Sequence, residues 1–401
     1  MFARGIPVRN YRESYESFWL ESSTMDITTY LKSMVDNDAS DLFFSAGAPV
    51  NIKIQGITRP ADKDPLTSMD VKKLAYSIMN DDQIATYEGT LELNMAISVK
   101  NLGRFRVNVY RQRGETAMVI RYIKSKIPSI SSLGLPAILE SLIMEKQGLI
   151  LVVGATGSGK STTLAAMINY RNKNQTGHIL TIEDPIEFIH EHKKSVVDQR
   201  EVGLDTLSYQ EALKNALREA PDVIVVGEIR DRETMSHALH FAESGHVCLS
   251  TLHANNANQA LERIINFFPD TAHHGLLLDI AQHLKAIISQ RLLKGRNGNR
   301  VPAVEVMLNT PYISELIEES KVSEIKDAME QGELSGMQTF DQSLYNLYKA
   351  GVIDIDEALQ NADSRNNLRL RLRLEEPGQI EDTGEFEIKR TNDDEVLLKR
   401  K

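Results

Sequence analysis

The chain has 401 residues, 46 basic against 56 acidic side chains, a formal net charge of −10, 41% hydrophobic residues and one cysteine. That length suits two or three domains. The acidic balance argues against a broad nucleic-acid footprint, and the lone Cys248 excludes an internal disulfide and a zinc site built from several thiolates.

Residues 1–24 follow no periodic pattern and carry Arg4, Arg9, Arg12, Glu13, Glu16 and Glu21 without an apolar stretch, so a flexible extension and no secretory signal are expected. No run of 18 apolar residues occurs, which predicts no membrane-spanning helix and a cytoplasmic protein. Asp26 then reads as the N-cap of an amphipathic helix with Ile27, Leu31, Met34 and Val35 on one face. Short strands are predicted at 41–44, 50–54, 95–99, 104–110 and 116–123, with a hairpin around Asn101-Leu102-Gly103 and helices near 68–79 and 81–87. This is a small mixed α/β domain over residues 25–125. Pro128, several serines and Gly134 mark residues 126–135 as a linker. A helix at 136–145 leads into strands at 149–153, 178–182, 223–226, 246–250 and 303–308. Helices are predicted between them, among them 209–219, opened by the capping box Ser208-x-x-Glu211, and 278–293. Such alternation means a mainly parallel sheet covered by helices. Helical sequence continues to residue 374, and the charged tail 375–401 is expected to be disordered.

The chemistry is concentrated where the apolar run 149–153 meets Gly154-Ala155-Thr156-Gly157-Ser158-Gly159-Lys160-Ser161, followed by Thr162. A strand entering G-x-x-x-x-G-K-[ST] and then a helix is a phosphate-binding loop. The glycines let backbone N–H groups turn toward phosphate oxygens, Lys160 adds a point charge, Ser161 offers a hydroxyl to Mg²⁺, and the helix aims its positive end at the anion. The chain therefore binds a nucleoside triphosphate. The apolar strand 223–226 ends in Gly227-Glu228, which sets Glu228 to hold or polarise an attacking water. Gly227 stands where many such enzymes keep a metal-binding aspartate. Glu183, in Ile182-Glu183-Asp184-Pro185-Ile186-Glu187, is the candidate second metal ligand beside Ser161; an acidic turn with no metal role is the alternative. His253 ends the strand Ser250-Thr251-Leu252, as a phosphate sensor or as a hydrogen-bonded structural residue. On the alternating strand 104–109, Phe105, Val107 and Val109 face a core. Arg106, with Arg121 on the next strand, is either a solvated charge or an arginine presented to a phosphate.

Taken together, the phosphate loop, Ile-Glu183-Asp-Pro-Ile-Glu, Pro221-Asp222-Val-Ile-Val-Val-Gly-Glu228-Ile-Arg230-Asp231 and Ser-Thr-Leu-His253-Ala-Asn resemble the Walker A, Asp, Walker B and His boxes of the secretion-type ATPases. Ala39-Ser40-Asp41-Leu42, Gln112-Arg113-Gly114, Gly336-Met337-Gln338-Thr339-Phe340-Asp341 and Asn367-Leu368-Arg369 are similar to the type IV pilus retraction ATPases of the PilT/PilU family. Arg171-Asn172-Lys173-Asn174 and the run from Asn255 to Ile265 look closer to its PilU branch. The resemblance implies a PAS-like N-terminal α/β domain and a RecA-like P-loop ATPase domain over 136–374 with a helical C-terminal part. It further implies a homo-hexameric ring using ATP and Mg²⁺, a PilT-like ATPase and an inner-membrane pilus platform protein as partners, and a position at the cytoplasmic face of that membrane. Arg106 and Arg121 match the positions from which such N-terminal domains reach the γ-phosphate. An ATP-binding scaffold with little hydrolysis and a RecA-like nucleic-acid translocase are the rival readings. One departure stands out: residues 312–319, Tyr-Ile-Ser-Glu-Leu-Ile-Glu-Glu, replace Ala-Ile-Arg-x-Leu-Ile-Arg-Glu of PilT. Both arginines are lost, and a helix exposing Ser314, Glu315, Glu318 and Glu319 is expected.

Overall fold

The computed structural model describes residues 26–54, 56–332 and 335–375, together with the backbone of 386–390 and 396–400. The expected extension 1–24 lies outside the described residues. The chain forms two compact units, one of residues up to Ile127 with Pro185–Glu191 and Glu201–Asp205, the other of the remaining residues from Pro128.

The first unit is one antiparallel sheet. Its strands β1 (Asp41–Ser45), β2 (Asn51–Ile54), β3 (Ile57–Pro60), β4 (Glu92–Val99), β5 (Gly103–Gln112) and β6 (Glu115–Ile123) lie in the order β3-β2-β1-β6-β5-β4. Alternation decides the buried face: Phe105, Val107 and Val109 of β5 are fully buried, with Met118 and Ile120 of β6 beside them. Helices α1 (Ile27–Asp36), α2 (Ser68–Ser77) and α3 (Asp81–Thr90) add Leu31, Met34, Val71, Leu74 and Tyr87 to the same core. Each start is capped by a side chain: Asp26 accepts from the Thr28 N–H, and Thr67 and Asn80 form capping boxes. Strand β3 escapes sequence reading because all four of its residues are exposed, leaving no apolar alternation.

The second unit holds β7 (Gly148–Val153), β8 (Gly177–Glu183), β9 (Ser195–Glu201), β10 (Val223–Val226), β11 (Val247–Leu252), β12 (Leu284–Lys294) and β13 (Arg300–Leu308), in the order β13-β12-β7-β11-β10-β8-β9. Strands β12, β7, β11, β10 and β8 are mutually parallel, and β13 returns antiparallel to β12. Every residue of β7, β10 and β11 is buried, as expected of strands covered on both faces. The covering helices are α4 (Ile138–Ile143), α5 (Lys160–Asn174), α6 (Tyr209–Ala216), α7 (Arg232–Glu243), α8 (Ala257–Asn266), α9 (His273–His283) and α10 (Pro311–Glu318). The C-terminal part adds α11 (Ile325–Gln331), α12 (Phe340–Lys349), α13 (Ile355–Asn361) and α14 (Arg365–Glu375). Phe340, Leu344, Ile353, Ala358, Leu368 and Leu372 build a separate small core with Leu293 and Ala303.

Three expectations need correction, and a fourth falls mostly outside the described residues. The helix expected at 278–293 stops at His283, and the chain continues directly as β12, which lies between β7 and β13 and is buried at most positions. Residues 126–135 are not a free linker from Pro128 onward: Ile130 and Leu135 are buried in the second unit's core, joined by the short 3₁₀ turn Ser131–Leu133. Of the tail expected to be disordered, residues 376–385, 391–395 and 401 lie outside the described residues, and Phe386–Arg390 pairs antiparallel with Val396–Arg400. On α10, Ile313, Leu316 and Ile317 are buried and Glu315, Glu318 and the following Glu319 exposed as the spacing predicts, but Ser314 turns inward and donates to the Ala281 carbonyl at 3.0 Å.

Candidate active site

Strand β7 delivers the chain to the phosphate loop at a position where the backbone comes close to β12. A Cβ on Gly154 would lie 2.6 Å from the Gln290 carbonyl oxygen, and one on Gly159, whose φ is +92°, 2.9 Å from Gln290 Nε2. Only glycine fits either place. Gly159 is the N-cap of α5, so the loop ends where the helix presents its unpaired N–H groups. Ala155, Thr156 and Gly157 are exposed, Ser161 and Thr162 half-buried in the first helical turn. The Ser158 hydroxyl is buried with no hydrogen-bond partner, a costly arrangement unless a ligand satisfies it. Lys160 is 9% exposed and its ammonium donates to the Gly154 and Ala155 carbonyl oxygens at 2.8 and 3.0 Å. The cation is thus stored over the loop that would cradle the phosphates. From behind, Thr163 Oγ1 donates to Gln290 Oε1 at 2.7 Å, both side chains being buried.

The carboxyl ends of the next parallel strands supply the remaining groups. Glu228 follows β10 and His253 follows β11, the strand that separates β10 from β7. Their side chains meet: His253 Nε2 is 3.2 Å from Glu228 Oε1, and Arg230 Nε donates to Glu228 Oε2 at 2.9 Å. Burial and then the Lys160 ammonium push the His253 pKa below its ordinary value. A neutral imidazole would meet Glu228 as an N–H donating to a carboxylate. Arg230 also faces Asp184 at 3.6 Å. Hydroxyls stitch the two strand ends together, Ser250 Oγ donating to the Val226 carbonyl at 2.6 Å and Thr251 Oγ1 to that of Gly227 at 2.7 Å.

Gly227 has its own explanation. A Cβ there would stand 2.8 Å from the Tyr209 hydroxyl, 3.1 Å from the Ile182 carbonyl oxygen and 3.3 Å from Glu183 Cα. The phenol of Tyr209 fills the space an aspartate would need, and burial, followed by the charge of Asp184, raises its pKa well above the usual range.

Glu183 ends β8, three strand spacings or about 14 Å along the sheet from the phosphate-loop strand. Its Oε1 accepts from Thr181 Oγ1 at 2.7 Å and Gln199 Nε2 at 3.2 Å, which fixes its orientation. Arg106 and Arg121 belong to the first unit, where they are direct cross-strand partners on β5 and β6. Arg121 Nε donates to Asp41 Oδ1 at 2.8 Å while its side chain stays 65% exposed. Arg106 faces the buried Glu201, whose pKa burial raises against the opposing pull of Arg106 and Arg104. The fold brings Lys160, Glu228 and His253, each singled out in the sequence, to the carboxyl ends of neighbouring strands. Sequence reasoning assigned no role to Gln290, Tyr209 or Arg230. Gln290 and Tyr209 carry no motif; Arg230 stood inside a quoted box, two residues from Glu228.

The strand order β12-β7-β11-β10-β8, with a phosphate loop at the end of β7 and a carboxylate and a histidine at the ends of the neighbouring strands, defines a RecA-like P-loop ATPase. The chain belongs to the family described as type II/IV secretion system protein, which it matches over residues 21–365. It is 51% identical to the type IV pilus ATPase PilU of Pseudomonas aeruginosa over 87% of this chain and 92% of that protein. It is 43% identical to the type IV pilus retraction ATPase PilT of the same organism, over 86% of this chain and all of that one. Among solved structures, the pilus retraction motor PilT with bound ADP superposes with a TM-score of 0.81 at 42% identity, covering 86% of this chain and all of the other. No helix among the described residues is long and apolar enough to cross a membrane.

Proposed function

We propose that this chain is an ATP-hydrolysing motor that powers retraction of type IV pili, works as a homo-hexameric ring at the cytoplasmic face of the inner membrane, and depends on a PilT-like ATPase. The observation that carries the ATPase reading is the Glu228 carboxylate, held by His253 and Arg230 beside the phosphate loop. Each carboxylate oxygen has two lone pairs, so a water can be oriented without breaking either bond. In this reading the loop Gly154–Thr162 binds the phosphates, Lys160 leaves its carbonyl tethers for the β- and γ-phosphate oxygens, Glu228 orients the water and His253 senses the γ-phosphate. Ser161 offers a hard oxygen to a largely hydrated Mg²⁺ shared with the nucleotide, and Glu183, three strand spacings away, would reach that ion through its bound waters. That ion would neutralise charge building on the transferred phosphoryl group. Arg106 and Arg121, paired on a rigid sheet with Arg121 open to solvent, would add positive charge to the γ-phosphate.

The dependence on PilT is read from α10. The two PilT arginines fall at Ser314 and at the exposed Glu318, with Glu315 and Glu319 exposed beside them, and like charges brought against an acidic partner are costly. The platform protein of the pilus is the partner class this face would meet, and nucleic acid is not expected. The test is twitching in a strain lacking PilT but expressing this chain. No motility is expected there, while deleting this chain beside PilT weakens motility under load. Robust twitching without PilT would overturn the accessory role and leave a self-sufficient motor.

A further inference from the structure

His253 stands on a loop of four residues, 253–256, between β11 and α8. Its start is fixed by the sheet. Its end is fixed by side chains from elsewhere in the second unit. The first N–H of α8, that of Ala257, donates to the buried carboxyl of Glu305 at 2.8 Å, and the Ser289 hydroxyl donates to the same oxygen at 2.8 Å. Asn256 caps the helix by accepting from the Gln259 N–H. Asn258 Nδ2 donates to the Val322 carbonyl at 2.9 Å. Between these two ends lies the carbonyl of Asn255, and it has one side-chain donor, Arg291 Nη2, at 3.4 Å.

Arg291 holds much more tightly to the C-terminal helices. Nη1 donates to the Asn361 carbonyl and Nη2 to Asp363 Oδ1, both at 2.6 Å, and the guanidinium lies 3.8 Å above the centroid of Phe340, which is fully buried. Asp363 is in turn approached by Lys326 at 3.4 Å, and its N–H donates to Asp341. Arg291 follows Gln290 in β12, so the two side chains leave the strand in opposite directions. Gln290 braces the phosphate-loop helix, and Arg291 joins the His253 loop to the C-terminal end.

We propose that Arg291 is a positioning residue for hydrolysis, clamping the His253 loop to α12, α13 and the chain entering α14, so that the set of those helices fixes where the imidazole stands against Glu228. The proposal rests on the reading of His253 as a working group of the ATPase site. The geometry favours this over a simple anchor for the C-terminal helices. An anchor needs only the two short bonds and the aromatic stack; the third, longer bond contributes little to holding the helices but restrains the loop, together with the bond from the Asn255 N–H to Gln259 Oε1 at 3.3 Å. A planar fork meets a carboxylate and two carbonyls at once, which a lysine ammonium on a flexible stem does not reproduce.

The experiment measures ATP turnover and melting temperature of the full chain carrying Arg291→Ala, Arg291→Lys, His253→Ala and the double change Arg291→Ala with His253→Ala. Arg291→Ala should lower kcat about tenfold, as small misplacements of a working group do, with KM for ATP within about twofold; Arg291→Lys should recover part of that loss. In the His253→Ala background the same Arg291→Ala step should shrink below about twofold, because the group it positions is gone. An equal loss in both backgrounds, or normal kcat in folded Arg291→Ala, overturns the positioning role. Should Arg291→Ala fail to fold, Asp363→Asn weakens the fork instead, with a smaller loss expected that again vanishes in His253→Ala; persistence of that loss also overturns it. Normal turnover in His253→Ala would bring down the reading of His253 itself and this proposal with it. A slow His253→Ala enzyme beside a normal Arg291→Ala enzyme removes only the proposal.

Discussion

Replacing Gly227 by alanine probes the most crowded point of the site. The added methyl group would sit 2.8 Å from the Tyr209 hydroxyl and 3.1 Å from the Ile182 carbonyl oxygen, inside the separations that real Cβ atoms keep. One methyl forced into a packed interior costs about 1–3 kcal/mol. For a unit of this size 2 kcal/mol corresponds to a melting point lower by about 4–8 °C. The chain relieves the overlap either by shifting Tyr209 or by moving the end of β10, and the second response carries Glu228 with it. Thermal melting and ATP turnover should therefore both fall in Gly227→Ala. Adding Tyr209→Phe removes the shortest contact and leaves the 3.1 Å and 3.3 Å backbone approaches, so about half of the lost stability should return. If Gly227→Ala melts and turns over like the unaltered chain, or if Tyr209→Phe restores nothing, steric exclusion by Tyr209 is not why this position lacks a side chain.

Lys160→Ala should keep the fold and lose about 10²–10³-fold in turnover, since the developing phosphoryl charge loses its nearest cation; a steady-state ATPase assay with circular dichroism checks both halves. Glu228→Gln should bind ATP with near-normal affinity by equilibrium titration and hydrolyse it slowly, because an amide orients water but accepts no proton; loss of ATP binding would contradict its assignment. Burial raises the Glu305 carboxyl to about 7, with the Asp363 charge adding to the rise and Arg291, Ser289 and the Ala257 N–H opposing it. Between the unfolded value near 4.5 and that raised value the folded state keeps a proton the unfolded state has lost, so stability falls as pH rises through this window. Melting scans from pH 5 to 8 should show that slope, and Glu305→Gln should flatten it.

What the sequence disclosed follows from how each strand is buried. The strands β7, β10 and β11 are apolar at every position because helices cover both faces, and a continuous run ending in a glycine loop or an acid is easy to read. The run 284–293 was not, for a physical reason. Leu284, Ala286, Ile287, Ile288, Leu292 and Leu293 satisfy a helical stripe as well as a buried strand. It also continues from α9 without a glycine or proline to mark the change. Only the vacancy in the sheet between β7 and β13 decides the matter, and that is a tertiary fact. Gln290 went unseen with it. Gly227 shows the same limit from the other side: the missing aspartate is visible in the sequence, but its cause is a phenol eighteen positions earlier that only folding brings alongside.

These particulars bear on how hydrolysis would become movement. Glu228 is fixed from two sides: by Arg230, whose other neighbour is Asp184 at the end of β8, and by His253, whose loop is tied by Arg291 to the C-terminal helices. Both ties are single side chains with weaker second partners, Asp184 at 3.6 Å and the Asn255 carbonyl at 3.4 Å. The glycines and the hydroxyl bonds from Ser250 and Thr251 to the end of β10, by contrast, leave the strand ends little freedom. A site built in this way is stiff along the sheet and yielding at its loops. Charge arriving at or leaving the phosphate loop would then alter the loop of His253 and the position of Arg230 before it disturbed the core. The segments able to respond are those joined to α12, α13 and α14 on one side and to the acidic turn after β8 on the other.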